Sequence, residues 1–340
     1  MTSPVLDLPA APDPLDAPPL RWGILGAGGI ARSFAHQVPT FSSGEVVAVG
    51  SRDGTRAAAF AAEFGIRRSH AGYDDLVADD DVDAVYVATP HSEHRAQALL
   101  AIEAGKHVLV EKAFTRSAAE AREVFDAARD RGVFVMEAMW TRFLPHMIAI
   151  RHLVRSGALG EVVSLYADHG QRLDRDPGGR LLNRDLAGGA LLDLGVYTVS
   201  LAHDLLGTPD AVLASGALTE TDVDGQETVL LRFGGRALAT CSSTLWTRTP
   251  CRAAICGTQG MVEVDGPFYA GSSFTVTIGD DRRTIEPGHE GGFQYEAAEV
   301  ARCVAAGRTE SETMSWADTL AVLETMDEVR RQLGVVYPGE

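Results

Sequence analysis

The sequence predicts an α/β part built on a parallel sheet, followed by an α+β part with a large, mainly antiparallel open sheet. Three observations predict this. Between residues 21 and 136 short apolar runs alternate with helical patterns, the rhythm of a parallel sheet covered on both faces. After Arg142-Phe143-Leu144-Pro145 the rhythm changes to successive strand-like runs joined by short turns, which implies antiparallel pairing. The length of 340 residues also exceeds what one hydrophobic core usually fills.

The first strand and its turn read Arg21-Trp22-Gly23-Ile24-Leu25-Gly26-Ala27-Gly28-Gly29-Ile30-Ala31. In Gly26-x-Gly28-x-x-Ala31 the first glycine permits a tight turn and the second lets backbone approach a pyrophosphate. The small Ala31 allows close helix–sheet packing. A helix then starts through Phe34-Ala35-His36, with its N-terminal amides facing the phosphate charge. The pattern predicts a Rossmann-type dinucleotide-binding domain, with Gly26, Gly28, Gly29 and Ile30 on the cofactor.

The second strand, Val46 to Gly50, ends in Ser51-Arg52-Asp53. NAD sites commonly place an acidic residue at that strand end for the ribose hydroxyl. Here a hydroxyl and a guanidinium come first, a pair suited to a 2′-phosphate. Asp53 is late enough to cap the helix that follows instead. The reading favours NADP, with NAD as the alternative. Helix is expected over 57–64, strand over 83–88, helix over 95–104, strand over 108–110, helix over 118–131 and strand over 133–136.

Open α/β sheets bind ligands outside the carboxyl ends of their strands. Thr89-Pro90-His91 follows one such end and Glu111-Lys112 another, and all five residues are assigned to the cofactor side. His91 and His94 have a competing reading as a loop donor and a helix cap, which is preferred for His94. Lys112 stands out because the chain holds only two lysines, Lys106 and Lys112, among 30 basic side chains. An ammonium is a compact donor whose pKa moves with its surroundings, whereas a guanidinium stays charged.

In the second part a helix is expected over 146–154 and strands over 162–167, 227–233, 237–243, 252–256, 261–264 and 274–278. Helices over 293–306 and 316–333 complete it. Gly188-Gly189-Ala190 feeds an expected helix, Leu191 to Thr198. Asp193 and Tyr197, four residues apart, then share a face. Gly195 weakens that helix, which suggests that it makes room for a neighbouring molecule. A phenol of ordinary pKa is a poor base at neutral pH unless a cation stabilises its phenolate, and Lys112 is a source of that charge. A helix cap is the competing reading for Asp193, and a satisfied interface tyrosine for Tyr197.

Composition excludes several partners. The formal net charge of −17 repels nucleic-acid backbone and anionic lipid. Cys241, Cys251, Cys256 and Cys303 form no CxxC pair and lack histidines at zinc spacing, so no metal is expected. They read as buried hydrophobes of a reducing compartment. Residues 1–19, with six prolines and no basic side chain, read as a disordered leader without a targeting signal. No apolar run is long enough for a membrane span, and a cytoplasmic location is expected. The expected domains are 20–143 for the dinucleotide and 144–340 for substrate binding and oligomerisation. A return of the C-terminal segment to the first domain is left open.

At these residues the chain resembles the glucose–fructose oxidoreductase, inositol dehydrogenase and rhizopine-catabolism (Gfo/Idh/MocA) family. It is most similar to the branch of dimeric dihydrodiol dehydrogenase and NADP-dependent xylose dehydrogenase. The resemblance covers 21–338 and rests on the glycine motif, the run 104–112, Met136 to Phe143, Gly189 to Tyr197, Gly292 to Glu296 and Gly334 to Pro338. It implies that Lys112 approaches nicotinamide and the reacting hydroxyl, that Tyr197 is the acid/base and that Trp140 walls the pocket. Where the family usually carries a proline, often cis, this chain has Ala113.

The implied activity is NADP-dependent hydride transfer between nicotinamide and a hydroxyl-bearing carbon of a sugar, polyol or cyclic trans-diol. Tyr197, Lys112 and Asp193 are expected to be catalytic. Arg142, His169, Arg180 and His289 are expected to help shape the pocket, each with a surface or core role as the competing reading. The rivals are a keto-sugar reductase, an NAD-dependent glycosidase and a non-catalytic dinucleotide or sugar sensor. The resemblance also implies a homodimer through open sheet faces, with a tetramer as the alternative.

Overall fold

A computed structural model describes residues 8–173, 176–286 and 288–340. Two compact units divide the chain: Pro12–Trp140 with Gly291–Leu320, and Thr141–Glu290 with Ala321–Glu340. The first contains β1 (Arg21–Leu25), α1 (Gly29–Phe41), β2 (Glu45–Ser51), α2 (Gly54–Phe64), β3 (Arg68–Ala71), α3 (Asp74–Val77) and β4 (Ala84–Val87). It continues with α4 (His91–Glu103), β5 (His107–Glu111), α5 (Ala118–Arg131) and β6 (Val135–Ala138). Its six strands lie in the order β3-β2-β1-β4-β5-β6, all parallel. The order reverses between β1 and β4, the switch point at which such sheets take up ligands. The central strands are buried at nearly every position because helices cover both faces.

The second unit contains α6 (Pro145–Arg155), β7 (Val162–Gly170), α7 (Val196–Leu206), β8 (Ala211–Leu218), β9 (Asp224–Phe233), β10 (Ala237–Thr244) and β11 (Ala253–Gly257). It adds β12 (Gly260–Val264), β13 (Phe274–Ile278) and β14 (Asp281–Ile285). The eight strands lie in the order β14-β13-β12-β11-β7-β10-β9-β8. Only the β7–β10 pair is parallel; the other pairs are antiparallel. One sheet face packs on α7 through Leu165, Ala239, Cys241 and Val229. On the other, register aligns Tyr166, Thr240, Leu230 and Leu213 across β7, β10, β9 and β8. Tyr166 and Leu213 of that row are 53% and 64% exposed.

The return segment begins with α8 (Phe293–Ala305), and α9 (Trp316–Leu333) spans the division between the units. Within the first unit the amide of Phe293 donates to Gln37 Oε1 on α1 at 3.1 Å, and Trp316 Nε1 donates to the Val135 carbonyl at 2.9 Å. The 144–340 assignment therefore needs correction: residues 291–320 complete the first unit.

Three strands escaped the sequence reading. β3 (Arg-Ser-His-Ala) and β14 (Asp-Arg-Arg-Thr-Ile) are polar edge strands, and β8 is an edge strand of small residues. Edge strands carry such residues because one side of their backbone faces no neighbour. The disordered-leader expectation is also corrected for residues 12–19. Asp13 caps a short 3-10 turn, Pro14–Asp16. Pro14 and Ala17 are buried, and Arg302 on α8 donates to the Asp13 carbonyl at 2.6 Å. Prolines have little backbone freedom to lose, so this segment lies down at small entropic cost. Residues 1–7 of the expected leader lie outside the described residues.

The helix carrying Tyr197 is pinned from α6. Arg151 donates through Nε and a second guanidinium nitrogen to the Asp204 carboxylate at 2.8 and 2.7 Å, with the two side chains 10% and 3% exposed. Removing one partner of such a pair strands the other charge. Asp204→Ala is expected to cost about 3–5 kcal/mol, read as a fall in urea-unfolding free energy.

Candidate active site

On the first unit the site is the carboxyl edge of the parallel sheet. Gly26 leaves β1 with φ +101°, and a Cβ there would stand 2.8 Å from the Ala88 carbonyl oxygen after β4. The turn can close only on glycine. Its amide donates to the Gly50 carbonyl at 2.9 Å. Gly28 then precedes α1, with no side chain capping the helix. A Cβ at Gly28 would meet nothing nearer than 3.9 Å, and one at Gly29 nothing within 4 Å. Open amides on a thirteen-residue helix, reached over bare glycine, fit a pyrophosphate. Ile30, 38% exposed, stands on the same first turn.

At the end of β2, Ser51 is buried and Arg52 exposed. Burial raises the pKa of the nearby Tyr73 phenol, opposed by the Arg52 charge. Asp53 accepts the Thr55 and Arg56 amides at 2.9 and 3.2 Å, so it caps α2, one of the two roles the sequence left open.

The loops after β4 and β5 are tied together. Thr89 donates to Gln97 Oε1 at 2.8 Å. Pro90 precedes α4, whose first residue is the buried His91. His91 Nε2 lies 3.2 Å from the Lys112 carbonyl oxygen. His94 lies between the Thr89 carbonyl, 2.9 Å from Nε2, and the Ala113 carbonyl, 3.0 Å from Nδ1. Its pKa is lowered by burial. His94 is thus a bridge between two loops, and the cap reading preferred for it is corrected. Glu111 accepts from the Tyr86 hydroxyl and from the amide of Lys112, the latter at 3.2 Å. Lys112 is half-buried, and the Lys112–Ala113 peptide is cis. Lys106 holds a loop, since its ammonium donates to the Asp79 and Val82 carbonyls at 2.8 Å each. On this unit Trp140 stacks on Phe293, with centroids 5.0 Å apart and planes 4° apart.

On the second unit the expected helix opens with a π turn, Leu191–Gly195, in which the Val196 amide reaches the Leu191 carbonyl. Such turns are frequent at functional sites. Asp193 lies within it and accepts from Arg180 at 2.9 Å. The side chain of Asp193 is 9% exposed and that of Arg180 52%. Tyr197 follows in the first turn of α7, 7% exposed. Its ring lies 5.2 Å from His169 and 5.0 Å from Tyr269, which themselves stack at 4.0 Å. Gln171 Nε2 lies 2.8 Å from His169 Nε2 and donates to the Tyr269 hydroxyl at 3.1 Å.

Two expectations change here, for Gly195 and Arg142. Gly195 makes room for the protein itself, because a Cβ would stand 2.8 Å from Glu227 Oε1 and 3.0 Å from Ser243 Oγ. Arg142 is 3% exposed and donates through Nε to Ser200 Oγ on α7 at 3.2 Å, so its role is in the core. His289 stacks on buried His146 at 6.4 Å, and desolvation lowers both imidazoles, His146 to about 4. Among the described residues no group of three or more His, Cys, Asp or Glu is arranged to hold a metal.

Comparison with known proteins decides the family. The family described as "Oxidoreductase family, NAD-binding Rossmann fold" matches residues 20–139, and the GFO/IDH/MocA C-terminal domain matches 147–263. The chain belongs to the Gfo/Idh/MocA oxidoreductase family. It is 38% identical to trans-1,2-dihydrobenzene-1,2-diol dehydrogenase of Danio rerio, over 94% of this chain and 98% of that protein. It is 35% identical to D-xylose 1-dehydrogenase (NADP(+)) of Hypocrea jecorina, over 94% and 93%. The crystal structure of aldose-aldose oxidoreductase from Caulobacter crescentus, complexed with glycerol, superposes with a TM-score of 0.86. That match has 30% identity and covers 93% and 98% of the two chains.

As a Gfo/Idh/MocA member the chain is an NAD(P)-dependent oxidoreductase. Sequence reasoning passed over Gln171 and Tyr269 beside Tyr197, and Phe293 beneath Trp140. Tyr269 carried a faint signal in Gly266-Pro267-Phe268-Tyr269, where an X-Pro bond in a turn presents an aromatic pair.

Proposed function

We propose that the protein is an NADP-dependent dehydrogenase or reductase acting on a hydroxyl-bearing carbon of a sugar, polyol or cyclic trans-diol. The observation that carries this reading is Lys112 directly after β5, on the sheet edge where the open N-terminus of α1 suits a dinucleotide. The relatives' names, a diol dehydrogenase and a xylose dehydrogenase, support the substrate class. When bound, the nicotinamide takes up or returns the hydride.

In the oxidative direction Tyr197 accepts the substrate hydroxyl proton. Lys112 supplies the positive charge that favours phenolate or the developing alkoxide, since a cation lowers the pKa of either group. Asp193, held by Arg180, orients the hydroxyl. His169 and Tyr269 give Tyr197 an aromatic surround, while the stacked Trp140–Phe293 pair offers a flat apolar wall. Thr89, Pro90, His91 and Glu111 shape the strand ends that present Lys112.

Several features support NADP and the wider setting. Asp53 is occupied in capping α2, which leaves exposed Arg52 as the charged group offered at the end of β2. Four free cysteines, three of them buried, suit a reducing cytoplasm. The exposed Tyr166–Leu213 row, with Leu238 42% exposed on the same face, supports a homodimer that covers it.

Tyr197→Phe and Lys112→Met are each expected to lower kcat by about 10²–10⁴-fold, measured by nicotinamide absorbance with aldopentoses and trans-diols. Near-normal turnover in both folded variants would remove the assignment. Arg52→Ala should raise the KM for NADP by about tenfold and leave that for NAD nearly unchanged, the loss of a charged hydrogen bond to phosphate. Equal effects on both cofactors would contradict the phosphate role. Leu213→Arg with Leu238→Arg should convert the dimer to monomer in sedimentation; an unchanged sedimentation coefficient would place the interface elsewhere.

A further inference from the structure

Behind the π turn lie two carboxyl groups that the reaction does not use. Asp224 is 0% exposed and Glu227 1%. Asp224 Oδ2 accepts the amide of Leu191, the first residue of the π turn, at 2.5 Å. The bare Cα of Gly189 packs against Asp224 Oδ1, and that of Gly195 against Glu227 Oε1. One carboxyl group therefore anchors the start of the turn and the other backs its end.

Glu227 Oε1 accepts from Ser243 Oγ on β10. Asp224 Oδ1 and Glu227 Oε2 are buried with no hydrogen-bond partner, and the Asp224 charge acts directly on the Glu227 carboxyl group. Buried carboxyl oxygens left without a donor can be satisfied by a proton held between them. Two adjacent negative charges in a dry interior are also strongly disfavoured.

We propose that Asp224 and Glu227 share one proton, and that this bridged pair holds the π turn in the shape that places Asp193 and Tyr197. The two are positioning residues for the reaction proposed above, and the inference rests on that reading for its catalytic consequence. Every charged neighbour is already committed. Arg330 on α9 faces Asp224 but binds Glu340 at 2.7 Å and Asp327 at 2.7 Å. The Tyr337 hydroxyl donates to the Gly188 carbonyl at 2.7 Å, and Asp193 in the turn is paired with Arg180. No cation among the described residues is left to neutralise a second negative charge on the pair.

Burial raises Asp224 to about 6, and burial together with the Asp224 charge pushes Glu227 well above the usual carboxylate range. Both groups hold protons more tightly folded than unfolded. Their stabilisation is complete below the ordinary carboxylate range and is lost as pH rises through about 6 and beyond.

The test compares wild type with Glu227→Gln and Glu227→Leu. Urea unfolding without substrate, and kcat with KM, are measured from about pH 5 to about pH 8. In wild type, unfolding should release protons, while the folded pair keeps its shared proton across this range. Glu227→Gln carries a permanent donor. It should release about one proton fewer and keep kcat within about threefold of wild type. Glu227→Leu has no donor and should lose about 10- to 100-fold in kcat through misplacement, with the cofactor KM unchanged.

Proton release in Glu227→Gln equal to wild type overturns the shared proton, whatever the activity does. A loss of kcat of more than about tenfold in folded Glu227→Gln, which keeps a donor, overturns the positioning role even if Glu227→Leu does not fold. Failure of the Tyr197 assignment shows separately, in Tyr197→Phe, because the unfolding measurement needs no turnover.

Discussion

The first unit is organised around the close approach of two parallel strand ends. β1 and β4 are neighbours at the switch point, and Gly26 turns directly against the carbonyl that follows β4. Parallel strands need crossovers on the sheet faces, so all their carboxyl ends open on one edge. Much else on that edge follows from this geometry. The turn exposes the amides of α1, while the ends of β4 and β5 lie side by side. His91 and His94 can then reach across to the backbone at Lys112 and Ala113.

The second unit solves a different problem, that of holding polar side chains within an apolar layer. Its sheet packs one face on α7, and the turn before that helix departs from α-geometry. A π turn leaves backbone groups to be satisfied from outside, and Asp224 does so at the Leu191 amide. Glycines at 189 and 195 let the carboxyl groups come close. The polarity that results is ordered in depth, with the Arg180–Asp193 pair reaching solvent and Asp224–Glu227 sealed behind it.

How much was legible depended on the kind of signal. β13 and α9 match the expected bounds residue for residue, because an apolar strand between turns and a long amphipathic helix are local patterns. The glycine motif was legible for the same reason: its chemistry lies within six residues. The edge strands β3, β8 and β14 were not, since they lack a buried face to write a pattern. Gly195 was noticed for its helix cost but assigned to a neighbouring molecule, when the neighbour was Glu227. Arg142 looked like a pocket group, and its neighbour proved to be Ser200, 58 residues away.

By itself the sequence determined the two fold types, the dinucleotide turn, the family and the identities of Lys112 and Tyr197 as candidate chemistry. Each rests on residue type at short spacing, which the chain carries wherever it folds. Tertiary structure alone decided what surrounds those residues. It returned residues 291–320 to the first unit, set Tyr197 beside the stacked His169 and Tyr269, gave Lys106 to a loop and buried Asp224 against Glu227. Burial and pairing come from segments distant in sequence, and the pKa of a buried group depends on which of them meet.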